Sequence, residues 1–143
     1  MLRPVFKSGR TYAIDPDISE DEAIAYWMSE HAYLVEDAGV VLGTYYIRRN
    51  QTGGGSHVCN CGFITSPAAQ GRGIARAMLE HALVSAPALG FTAMQFNFVL
   101  ANNTRAIDIW TRAGFEIIGR QPRAFKHPDD GYVDALIMWK DLA

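Results

Sequence analysis

Apolar residues recur in two rhythms along this 143-residue chain. In the first, Ile74, Met78, Leu79, Ala82 and Leu83 fall at helical spacing and predict an amphipathic helix ending near Pro87. Ala23, Ile24, Trp27 and Met28 repeat that spacing on a helix running to about Ser29, with Trp27 read as core. Ser19-Glu20-Asp21-Glu22 opens that helix with the spacing of a capping box. The second rhythm is rich in β-branched and aromatic residues. It predicts strands at Ala32–Glu36, Val40–Arg48, His57–Thr65, Ala93–Val99, Glu116–Gly119 and Tyr132–Trp139, the last apolar enough for the middle of a sheet. Asp37-Ala38-Gly39 reads as a hairpin turn. Leu2, Val5 and Phe6 read as the end of a helix stopped at Ser8-Gly9. Asn50–Ser56, with its three glycines, reads as a mobile loop, and Gln121–Gly131 as a loop at the mouth of a site. With no repeat and no linker, one domain over 1–143 is expected.

Between the strand ending at Thr65 and the helix beginning at Ile74 lies Gln70-Gly71-Arg72-Gly73-Ile74-Ala75. First-turn N–H groups of a helix have no partner inside it, and the macrodipole places about half a positive charge there. Gly71 and Gly73 permit positive φ, and Arg72 adds a formal charge, so the stretch predicts a diphosphate cradle. It is not a P-loop, which needs Lys and Ser or Thr where Ile74-Ala75 stand. Nor is it a dinucleotide fingerprint, whose third glycine would fall at Arg76. The loop alone leaves a plain strand-to-helix turn open as the alternative.

Composition narrows the field. A hydrophobic fraction of 49% supports a core without staples, and a net charge of −2 argues against broad nucleic-acid binding. No apolar run reaches membrane-spanning length and nothing at the N-terminus reads as a signal peptide. A cytoplasmic protein with no nucleic-acid or membrane partner is the expectation. Cys59 and Cys61 share one face of a strand, a poor placement for a disulfide and weak support for zinc, so buried thiols and no metal are expected.

Downstream, Leu89-Gly90 closes a turn, and the strand 93–99 is followed by Asn103, Ala106-Ile107, Trp110 and Gly114-Phe115. Loop, strand and Asn-x-x-Ala-Ile-x-x-aromatic-x-x-x-Gly-Phe, in this order, resemble the GCN5-related N-acetyltransferase (GNAT) superfamily from about His57 to Phe115, and more loosely to the end. The resemblance implies an α/β (α+β) sandwich: a mostly antiparallel twisted sheet flanked by helices. In it, strands 57–65 and 93–99 run parallel and splay to admit pantetheine. It implies acetyl-CoA as co-substrate. Backbone groups of Phe63, Ile64 and Thr65 would pair with pantetheine; Gln70, Gly71, Arg72, Gly73, Ile74 and Ala75 would hold the diphosphate; and Asn103 would bond the pantetheine arm. The family's first strand and most of its first helix have no match here. Either the sheet starts one strand late or a partner chain covers that edge; because open edges are a liability, a homodimer is favoured.

Phe96–Val99 through Asn103, Ile107–Trp110 and Tyr132–Ala135 resemble more narrowly the branch that includes a yeast acetyltransferase of proline analogues such as azetidine-2-carboxylate. There, matches of Asn60, Asn97 and Asn103 lie at the substrate and cofactor site, which assigns Asn60 and Asn97 to positioning acetyl group and amine. The alternative is that both amides bond each other or backbone, since an unpaired buried amide costs about 1–3 kcal/mol. Acetyl transfer further requires a neutral amine and a stabilised oxyanion. His57 stands where histone-type members carry a glutamate base, with a plain strand-edge histidine as the other reading. Asp130 and Asp134 acting through water are alternatives, while His31, His81 and His127 lack comparable placement. Trp110 replaces a frequent family tyrosine and reads as packing and a wall by the thiol, so thiolate protonation falls to water, to Tyr132 or to nothing. Trp27, Tyr45, Tyr46, Phe125 and Tyr132 are the expected acceptor-side lining. The expected function is direct acetyl transfer from acetyl-CoA to a small amine, an amino acid or analogue. A non-catalytic CoA sensor and a protein or peptide N-acetyltransferase are the rivals.

Overall fold

Residues 1–143 are all described by the computed structural model. Four helices, α1 (Leu2–Ser8), α2 (Glu20–Trp27), α3 (Ile74–Ala88) and α4 (Thr104–Arg112), flank six strands. The strands are β1 (His31–Asp37), β2 (Val40–Arg49), β3 (Val58–Thr65), β4 (Ala93–Leu100), β5 (Glu116–His127) and β6 (Gly131–Asp141). They form one sheet in the order β1-β2-β3-β4-β6-β5, antiparallel except where α3 carries the chain across from β3 to a parallel β4. The interior position of β6 matches its doubly apolar sequence. The β1 edge is free, with no strand from residues 1–30 beside it. No helix is long and apolar enough to cross a membrane.

The strand period of two divides the core between the sheet's faces. Tyr45 and Ile47 of β2 join Cys59, Met78, Leu79, Met94 and Trp110 beneath α3 and α4. Tyr46, between them, points the other way and packs with Phe6, Ala23, Trp27 and Ile64 beneath α1 and α2. Trp27 Nε1 donates to Thr44 Oγ1 at 2.9 Å, and that hydroxyl donates to Tyr33 O at 2.8 Å, so the buried indole is satisfied. The capping box is formed: Ser19 Oγ accepts from Glu22 N, and Glu22 Oε2 accepts from Ser19 N. Both cysteines are free thiols in the core.

Three local expectations need correction. Ile24 and Met28 are exposed, 45% and 62%, because only the Ala23–Trp27 side of α2 meets the sheet. Asn50–Ser56 contains a 3₁₀ turn (Gly53–Gly55) and is tied down where Asn50 N donates to Val58 O at 2.9 Å. The largest correction is at 121–131, which is mostly strand. β5 runs through Pro122 because its ladder with β6 slips between Gln121 and Phe125, and proline needs no ladder bond there. Arg123 takes φ 51° in that bulge, and its N–H donates to Asp134 Oδ1 at 2.8 Å.

Candidate active site

The parallel pairing of β3 and β4 is short. Val58 faces Ala93 and Cys59 faces Met94, and past that point the strands diverge. Asn60 stands at the vertex. Its Nδ2 donates to Gln95 O at 2.9 Å, replacing the backbone bond that the divergence forfeits, and its Oδ1 accepts from Tyr46 Oη at 3.2 Å. Beyond the vertex opens a cleft of about 810 Å³, walled by Asn60–Thr65 on one side and Phe96–Leu100 on the other. A bulge helps it open, because β4's register with β6 shifts between Phe96 and Val99. Gly62 is required here: a Cβ on it would lie 2.5 Å from the Tyr46 ring. Tyr12 reaches in from the segment after α1, and its hydroxyl donates to Phe63 O at 3.1 Å.

At the open end, Gly71 and Gly73 adopt φ of 78° and 76°, and Gly73 is the N-cap of α3. The N–H groups of Gly71, Gly73, Ile74, Ala75 and Arg76 have no protein acceptor, whereas Gln70 N and Arg72 N are engaged by Pro67 O and Ala69 O. Gln70, Gly71, Gly73, Ile74 and Ala75 line the cleft; the Arg72 side chain does not, and its guanidinium lies 4.0 Å from Asp37. Asn103 caps α4 by accepting from Ala106 N at 3.3 Å, which leaves its Nδ2 free toward the cleft. Trp110 is a buried wall, 5.2 Å from the Phe63 ring and 4.9 Å from that of Phe96.

Electrostatically the cleft is one-sided. Its charged lining residues are Arg10, Arg48, Arg76 and Arg105, with no Asp, Glu, Lys or His. Arg10 pairs with Asp129, and Arg76 with Glu80 at 3.0 Å. Burial pushes the Tyr12 and Tyr46 phenols well up from their ordinary value, so both remain protonated donors.

Several expected residues lie elsewhere. His57 is exposed and precedes the β3–β4 pairing, at the closed end of the cleft. Tyr132 is 58% exposed with its ring under the Arg123 guanidinium, 4.9 Å away. Asp130 accepts from Asn102 Nδ2, and Asp134 is held below the usual carboxylate range by the Arg123 N–H and Arg120. Of the five aromatics expected on the acceptor side, only Tyr46 lines the cleft. Asn97 lines it but is exposed rather than buried, its Oδ1 accepting from Gln95 Nε2 at 3.0 Å and its Nδ2 donating to Asn50 Oδ1 at 2.6 Å. Asn60 and Asn97 therefore do not bond each other. Tyr12, Tyr26 and Arg48 carried no sequence signal, because only the folded packing of the segment after α1, the last turn of α2 and the β2–β3 register brings them to the vertex.

Comparison with known proteins agrees with this architecture. The profile of the Acetyltransferase (GNAT) family matches residues 5–115. The N-acetyltransferase aca1 of Schizosaccharomyces pombe is 41% identical over 100 residues, covering 68% of this chain and 47% of that protein, so the match spans about half the length of that relative. A GCN5-related N-acetyltransferase from Kribbella flavida superposes with a TM-score of 0.92 at 38% identity, covering 97% of this chain and 86% of that one. The acetyltransferase yncA of Salmonella typhimurium, solved with acetyl-CoA, shares the fold at a TM-score of 0.86 and 18% identity, covering 99% and 84%.

Proposed function

Because the chain belongs to the acetyltransferase (GNAT) family, we propose that it is an acetyl-CoA-dependent N-acetyltransferase whose acceptor is a small amine, an amino acid or an analogue. The observation that carries this reading is the row of five unpaired N–H groups at Gly71 and Gly73–Arg76, at the mouth of a cleft that opens at Asn60. The cradle fits a diphosphate: its glycines hold positive φ, and all five residues that carry the unpaired N–H groups line the open cleft.

Bound acetyl-CoA would supply a thioester reactive toward a neutral amine. The chain's own residues do the rest. The amides at 71 and 73–76 grip pyrophosphate oxygens, and Asn103 Nδ2 donates to the pantetheine arm. The freed edge of β3 at Phe63–Thr65 offers main-chain groups to pantetheine and one N–H to the thioester oxygen, where charge develops on attack. Asn60 and Asn97 orient acetyl group and amine. A lining with four arginines and no carboxylate disfavours an ammonium, which assists loss of the amine proton to water. Trp110 shields the thiol. The departing thiolate is a tolerable leaving group without an acid. The reading includes a homodimer covering the β1 edge, which sedimentation velocity would test.

The absence of any His or carboxylate in the lining favours one rival, a CoA-binding sensor. Thiol release from acetyl-CoA across a panel of amines, amino acids and peptides decides. Saturable turnover with free amino acids supports the proposal. Turnover confined to peptide N-termini, or coenzyme A binding without turnover on any acceptor, overturns it.

A further inference from the structure

Arg48 is the cleft's cation at the vertex. Its cross-strand partner is Asn60. The side chain is half-buried and makes no ion pair, yet its guanidinium sits in the corner of two perpendicular rings, 4.4 Å from that of Tyr26 and 4.3 Å from that of Tyr46. Its Nη1 donates to Tyr26 O at 3.0 Å, in the last turn of α2, and its Nη2 donates to Tyr46 Oη at 3.1 Å. That hydroxyl donates in turn to Asn60 Oδ1. Those acceptors are neutral, and Nε has none. Holding a flexible cation rigid and partly desolvated, with no anion, costs stability unless an anion arrives.

The anion is not the cofactor's diphosphate. Asn60, opposite Arg48, and Thr65, which leads to the 70–75 loop, are separated by five residues of β3, roughly 16 Å at strand rise. We infer that Arg48, held in the corner of the Tyr26 and Tyr46 rings, binds the carboxylate of the acceptor and so selects amines that carry one. A planar guanidinium suits a carboxylate, and the two ring contacts and two hydrogen bonds have already removed most of the entropy that a free arginine would lose. Arg48 also braces the C-terminus of α2, so a structural role must be separable from this one. The inference rests on the acetyl-transfer reading.

The test pairs each amino acid of the acceptor panel with its carboxamide, in wild type, R48M and R48K. Wild type is expected to prefer the carboxylate through KM. R48M should raise KM for the carboxylate by roughly 30-fold or more while leaving the carboxamide and coenzyme A affinity within a few-fold, with R48K recovering part of the loss. A merely structural Arg48 would lower activity on both members of each pair alike, and that result overturns the inference. So does a wild type indifferent to the carboxylate, although it would leave acetyl transfer intact. If no acceptor is turned over, the enzyme reading fails on its own. Calorimetry on the coenzyme A-loaded protein then decides: amino acids that bind wild type but not R48M sustain the carboxylate site, and no binding to wild type removes it.

Discussion

The two ends of the cleft are built from different material. At the loop end the donors are main-chain N–H groups within six consecutive residues, Gly71–Arg76, aimed by two left-handed glycines and a helix start. At the vertex the polar atoms are side chains of Arg48, Tyr46, Asn60 and Asn97, drawn from three strands and meeting through register. A main-chain site tolerates nearly any side chain except where φ demands glycine, and is robust to the rest of the fold. A side-chain site depends on each partner, so the vertex is where both substrate choice and stability are exposed to single substitutions.

The first way to break this contrast is at the glycines. Replacing both Gly71 and Gly73 by valine imposes positive-φ strain of about 1–3 kcal/mol each, which the loop relieves by re-aiming its N–H groups. Calorimetry should show coenzyme A affinity falling on the order of 100-fold or more. The second is Asn60→Ala, which strips the half-buried Gln95 carbonyl and the buried Tyr46 hydroxyl of their partner. Urea unfolding should show a loss of about 1–3 kcal/mol, with coenzyme A affinity nearly unchanged. If N60A instead weakened coenzyme A as much as the glycine pair does, the two ends would not be separable.

Smaller effects sharpen the picture away from the cleft. Ser19→Ala removes the α2 cap and should cost about 1 kcal/mol without altering turnover. Ser19 hydrogen bonds hold the Glu22 carboxyl below its usual range. Stability from a depressed carboxylate is present above its ordinary pKa and lost as pH falls through the folded value. The gap between wild type and S19A in urea should therefore narrow below about pH 4. The smallest expected effect is none: His57→Ala should leave the pH–rate profile unchanged. With no titrating base in the lining, kcat/KM should climb about tenfold per pH unit toward the acceptor amine's own pKa.

How much of this was legible in the sequence follows the same division. The 70–75 loop, the capping box and the β1–β2 turn are contiguous, and their residues state their backbone requirements locally. The fold was readable where apolar period and chain order agreed. It failed at β5, where Pro122 reads as a breaker although a bulge takes it out of the ladder. Helical spacing placed Ile24 and Met28 with Trp27, but an eight-residue helix offers only a narrow face to the sheet. Counting back along β3 put His57 near the chemistry. The pairing of residues 58 and 59 with β4 closes the cleft before reaching it. Arg48 could not be found without knowing that it faces Asn60.

The central claim is that unpaired main-chain donors at one end of a cleft between diverging strands hold coenzyme A. A ¹H–¹⁵N titration of the labelled protein with coenzyme A addresses it residue by residue. The amides of Gly71, Gly73, Ile74, Ala75 and Arg76 should move together and saturate, while those of Gln70 and Arg72, already bonded, move less. Saturable binding that leaves those five amides unmoved, or no binding at all, contradicts it.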